Sequence, residues 1–132
     1  MTASEQKERA RRFLENFNHA DAVVFAELIS ENFSFAIMSG LTEFPPIVGR
    51  QNFAESESAA LKRLFPEGLR LKLGTIISEG PHVFALAEAD TIGIKGRPYR
   101  QRYAFYLRFE GELIAEGREY NDTNLVREVF LT

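Results

Sequence analysis

Apolar residues recur at helical spacing through the first half of the chain and at strand spacing through the second. Ala10, Phe13, Leu14 and Phe17 fall at i, i+3, i+4 and i+7, one apolar stripe on a helix over roughly 4–18. Ser4 is placed to cap it, and Glu5 suits the positive end of its dipole. Asn18-His19-Ala20-Asp21 interrupts the stripe, and Asp21 is placed to cap a second, short helix over 22–29. The apolar run 33–38 fits a buried strand and ends at Ser39-Gly40. Phe44-Pro45-Pro46-Ile47-Val48-Gly49 is a loop, since proline has no N–H to give a central ladder. A third helix starts at Arg50, with Phe53, Glu57, Ala60, Leu61 and Leu64 on one side; Glu57 alone of these is charged.

Four strands follow, over 69–78, 83–92, 99–109 and 113–120, joined by short turns that carry glycine and favour antiparallel neighbours. Helices first and strands afterwards predict an α+β domain with helices on one sheet face. At 132 residues the chain is one domain, 1–132, long enough to bury a core.

Strand alternation sorts the candidate chemistry. On the second of these strands Phe84, Leu86, Glu88 and Asp90 share a face, with Val83, Ala85, Ala87 and Ala89 opposite. Carboxylates beside bulky apolar groups place that face either in a pocket or at an interface. On the last strand Glu119 follows Leu113, Ala115 and Gly117 inward. Two acids in one pocket, Asp90 and Glu119, would raise each other's pKa and form an acid/base pair; an ion pair with Arg102 or Arg118 is the structural alternative. The long strand carries Tyr99, Gln101, Tyr103, Phe105, Leu107 and Phe109 on one face, as pocket wall and core. Arg100, Arg102, Ala104, Tyr106 and Arg108 lie on the other, where a partner subunit or solvent would meet them.

Composition narrows the choices. Twelve Phe and no Trp suit an aromatic core around a cavity. A net charge of −3, with no basic block interleaved with aromatics, disfavours nucleic acid. Cysteine is absent, and the two histidines, His19 and His82, are far apart, so neither a disulfide nor a metal site is expected. No apolar run reaches the ~18 residues of a membrane span, and the charged start of the chain is no signal core. A cytoplasmic protein that does not engage membranes is expected.

Helix, helix and strand, then Ile47-Val48-Gly49-Arg50 opening a third helix, then four strands ending in Gly111-Glu112-Leu113-Ile114 and Arg118-Glu119-Tyr120-Asn121-Asp122-Thr123, resemble the SnoaL-like branch of the NTF2-like superfamily. The resemblance spans nearly the whole chain. It implies three N-terminal helices packed on a curved antiparallel β-sheet, a cone with a deep apolar pocket, and a homodimer through the sheet's outer face. It implies a small apolar ligand and acid/base chemistry of the isomerase, cyclase or hydrolase type; no cofactor is expected. Asp90 and Glu119 are the catalytic candidates, and Phe13, Phe17, Phe35, Phe53, Glu88, Gln101, Tyr103 and Phe105 the ligand-binding ones. A non-catalytic NTF2-like binding or accessory protein is the alternative. The tyrosine, base and acid of ketosteroid isomerases correspond here to Phe13, Ile37 and Arg102, so that route is not expected. In the epoxide-hydrolase pattern Asp90 and Glu119 occupy the acid positions, while Glu88 stands where an arginine belongs. The water-holding positions of that pattern fall near Ser39 and Leu41.

Overall fold

The structure, a computed structural model, describes residues 1–132. Helix α1 (Ala3–Glu15) runs through a 3₁₀ turn at Asn16–Asn18 to α2 (Ala22–Leu28) and β1 (Ile29–Ile37). A short β2 (Ile47–Val48) leads into α3 (Arg50–Leu64). Then come β3 (Leu71–Glu79), β4 (His82–Ile92), β5 (Pro98–Glu110), β6 (Leu113–Tyr120) and a final helix α4 (Thr123–Phe130).

The six strands form one curved, unclosed sheet in the order β2-β1-β6-β5-β4-β3. The sheet is mixed rather than antiparallel throughout, because β1 and β6 run parallel, with Phe35 opposite Gly117 and Ile37 opposite Glu119. Alternation fixes which face a side chain takes but not the direction of a neighbour, so the sequence pattern carried no signal for this pair. Four helices, not three, pack on the sheet. Asp122 caps α4 by accepting from the Asn124 and Leu125 amides at 3.1 and 3.3 Å, and Leu125, Val126, Val129 and Phe130 form its inward stripe. Thr2, not Ser4, caps α1: its hydroxyl accepts from the Glu5 amide at 3.1 Å, while the Glu5 carboxylate accepts from the Thr2 amide at 3.2 Å.

The core lies between the helices and the inner sheet face. Phe13 stacks on Phe53 at 5.9 Å, and Phe25 and Phe33 meet Phe53 edge-on at 5.2 and 4.9 Å. Each fully buried ring contributes about 1.5–3 kcal/mol. Gly49 lets the chain turn into α3 with φ +102°, a conformation that a side chain would strain. Its amide donates to the Phe33 carbonyl at 2.7 Å, and Arg50 Nε donates to the Ile29 carbonyl at 3.0 Å. These two bonds anchor the start of α3 to β1 and set the angle at which Glu57 is presented.

On β4 the phase is the reverse of the one that would bring Asp90 into a pocket. Val83, Ala85, Ala87 and Ala89 are buried, and Phe84, Leu86, Glu88 and Asp90 are exposed. The reason is steric. Helix α1 lies across β3 and β4, and alanines leave room for a helix where Phe84 and Leu86 would not. No helix is long and apolar enough to cross a membrane.

Candidate active site

A cavity of about 280 Å³ opens between α3, α4 and the inner faces of β1, β5 and β6. It is near the lower end of the range for small-ligand pockets. Phe17, Phe35, Phe65, Phe105 and Phe130 form much of its wall, with Leu61, Leu64 and Val126. Glu43, Phe44 and Pro45 come from the loop between β1 and β2, and Ser56 and Arg63 from α3.

Four titratable side chains reach inside. Glu119 comes from β6, one strand over from Phe105 and Ile37 in the same cross-strand row. It is 9% exposed. Asn121 Nδ2 donates to its Oε2 at 2.8 Å. Burial raises its pKa to about 7, and the Asn121 bond offsets part of that rise. Glu57 comes from the inward side of α3. Burial, and secondarily the charge of Glu119, push its pKa up to about 8, and no hydrogen bond to protein opposes the shift. It is half-buried and lines the cavity.

The other two are phenols. Tyr99 and Tyr103, two turns of the pleat along β5, share a hydrogen bond of 2.7 Å between their hydroxyls. Burial drives both pKa values well above the ordinary phenol range; Glu119's charge adds to Tyr99's rise, and Tyr99 and Glu119 add to Tyr103's. Both hydroxyls stay protonated. One proton lies in the bond between them, so the second is free to be donated elsewhere. Near neutral pH the cavity therefore holds a carboxylic acid, a carboxylate in equilibrium with its acid, and a neutral phenol donor.

Of the residues singled out in the sequence, Phe17, Phe35, Tyr103, Phe105 and Glu119 line this cavity. The others do not. Phe13 and Phe53 are wholly buried in the aromatic core. Gln101 is 1% exposed, with both ends of its amide bonded: Nε2 donates to the Asp122 carbonyl, and Oε1 accepts from the Arg102 and Asp122 amides. It ties β5 to the start of α4. Glu88 and Asp90 lie on the outer sheet face, where Asp90 pairs with Arg100 at 3.4 Å. Asp90 and Glu119 therefore do not share the cavity, whereas Glu57 and Glu119 do. The signal for Glu57 was present as the one charge in the apolar stripe of α3. Asn121 carried no periodicity, since it follows the last strand. No three His, Cys, Asp or Glu side chains gather where they could hold a metal.

Helices laid on the inner face of an unclosed sheet, with a cavity between them, define an α+β cone of the ketosteroid-isomerase-like, NTF2-like type. The SnoaL-like domain model matches residues 10–117, and the chain belongs to that family. Among solved structures, a proposed isomerase from Bacillus subtilis is 24% identical, with a TM-score of 0.82 over 98% of this chain and 96% of its own. A proposed SnoaL-like polyketide cyclase from Jannaschia is 17% identical, with a TM-score of 0.80 over 96% and 92%. An LEH-like epoxide hydrolase from M. tuberculosis is 16% identical, with a TM-score of 0.75 over 98% and 91%. At these identities the likeness is one of fold. Among curated proteins nothing matches.

Proposed function

We propose that this protein is an acid/base enzyme that moves a proton on a small, largely apolar carbonyl compound, as in isomerisation or ring closure through an enol. The observation that carries this reading is that two carboxyls from different elements, Glu57 on α3 and Glu119 on β6, open on one aromatic-lined cavity. Glu119, the more acidic of the two, acts as base and takes a proton from the carbon beside the carbonyl. The Tyr99–Tyr103 pair donates to the oxygen on which negative charge develops. Glu57, protonated at neutral pH, returns a proton at the new position and is reprotonated by Glu119, so that no net proton is lost. The apolar walls exclude water and keep both carboxyl pKa values close to working pH.

The test is turnover of a panel of small enolisable ketones by the wild type, Glu119→Gln and Glu57→Gln. Loss of the base is expected to lower kcat by ~10²–10⁴, with the fold unchanged by circular dichroism. Full activity in both variants on a substrate that the wild type converts would sink the mechanism.

The same proposal includes a homodimer through the outer sheet face. There Ile77 lies opposite Phe84, Phe84 opposite Tyr106, and Tyr106 opposite Arg118, a row crossing four strands. Ile77, Phe84 and Leu86 are each about half exposed or more, at 59%, 49% and 57%. A contiguous apolar patch of this kind supports burial against a second copy.

A further inference from the structure

The charge inside the cavity is one-sided. Its wall holds three carboxyls, Glu43, Glu57 and Glu119, against one guanidinium, Arg63. Glu43 and Arg63 are exposed at the mouth, so the interior holds acids alone. Glu119 Oε2 accepts from Asn121, while Oε1 has no partner. Ser58 Oγ is the one fully enclosed side-chain polar atom without a partner, so Oε1 keeps open surface, and the cavity is what it faces.

Aromatic rings line the cavity around this carboxylate. Phe105 is its cross-strand neighbour. Tyr103 stacks on Phe105 at 5.2 Å, and Phe17 approaches Phe105 at 5.7 Å and Phe35 at 6.1 Å. No cation of the chain lies over these rings; the one guanidinium placed over a ring, Arg118 over Tyr106, is on the outer face. A ring face attracts positive charge, and more strongly where water is excluded. An unpaired buried carboxylate has the same requirement, which here is met only by taking up a proton.

We infer that the cavity binds small organic cations, tertiary or quaternary ammonium groups on a short apolar chain, seated between the Glu119 carboxylate and the Phe17, Phe35, Tyr103 and Phe105 rings. The volume of about 280 Å³ suits a trimethylammonium-sized head and a short tail. This inference does not rest on the proton-transfer reading, because a cation is held by the same groups whether or not a proton is ever moved. Binding and protonation compete for one carboxylate, so cation affinity follows the ionised fraction of Glu119. The ionisable groups lining the cavity with it are Glu57 and Arg63 from α3, Glu43 from the β1–β2 loop, and Tyr99 and Tyr103 from β5.

Calorimetry with choline and with 3,3-dimethylbutan-1-ol, the same shape with carbon in place of the charged nitrogen, tests this directly. At pH 8 the cation is expected to bind at least about tenfold more tightly than the alcohol. The preference should shrink by about tenfold per pH unit below the Glu119 value of about 7. Glu119→Gln should abolish the preference and leave affinity for the alcohol within about twofold. Equal binding of the two ligands, a preference that survives in Glu119→Gln and in the Glu57→Gln/Glu119→Gln double variant, or no binding of either at millimolar concentration overturns the inference. Turnover of ketones plays no part in this readout, so its outcome and that of the enzyme assay are separable.

Discussion

Glu57 and Glu119 make the stability of this protein depend on pH in the direction opposite to that of most carboxylates. Each holds its proton more tightly in the folded chain, to about 8 and about 7, than at the ordinary value of 4.5. Between those limits the folded state carries more protons than the unfolded one. Stability is then complete below pH ~4.5 and falls as pH rises through 7 and 8. At about 1.4 kcal/mol for each tenfold gain in proton affinity on folding, the two groups together set an upper limit of roughly 8 kcal/mol on the loss by pH 8.5. Urea titrations at fixed pH check this. The Glu57→Gln/Glu119→Gln double variant should flatten the decline and exceed the wild type at pH 8.5; a decline as steep in the double variant would show that other groups cause it. At this scale the sequence was half legible. Glu119 could be placed inward because small and apolar residues precede it on its face. Asp90 could not, because alternation gives two faces without saying which is inside. The deciding fact is the close passage of α1 over β3 and β4, a long-range contact that admits the small alanines and turns the larger side chains out.

Gly117 controls the seam between β1 and β6. A Cβ built there would lie 2.8 Å from Phe35 Cδ2 and 3.3 Å from Leu107 Cδ2. The Phe35 ring cannot retreat easily, since Phe17, Phe33 and Phe53 pack around it at 6.1, 6.4 and 5.2 Å. Gly117→Ala is therefore expected to destabilise the fold by about 1–3 kcal/mol through overpacking. Chemical denaturation measures this, and Phe35→Leu in the same chain should recover part of it. A neutral Gly117→Ala would mean that the two strands can part without cost. Most elements were legible from periodicity, down to the last strand at 113–120. The parallel pairing and α4 were not. The first depends on a crossover through the whole middle of the chain. The second is a two-turn helix, too short for periodicity to stand out, although Asp122 ahead of Leu125, Val126, Val129 and Phe130 held its signal.

At the scale of the whole molecule, two surfaces of one sheet serve different ends. The inner face closes a cavity, and the outer face leaves a row of apolar side chains uncovered. If the outer row joins two copies, Phe84→Glu with Leu86→Glu should convert a dimer into a monomer by light scattering while the isolated fold persists. A wild type that is monomeric at high concentration rules the dimer out. The cone itself was legible because its order of elements, helices before strands, admits few packings. Helix α4 was not, and it has a practical meaning. Val126 and Phe130 of α4 line the cavity, and Arg97 holds the helix through the Glu128 and Val129 carbonyls, each at 3.0 Å. None of the acids or phenols sits on α4. The size of guest that the protein can house is thus set in part by α4, separate from the walls that carry the reactive groups. An engineer could enlarge the chamber at Val126 and Phe130, residue by residue, with its furnishings left in place.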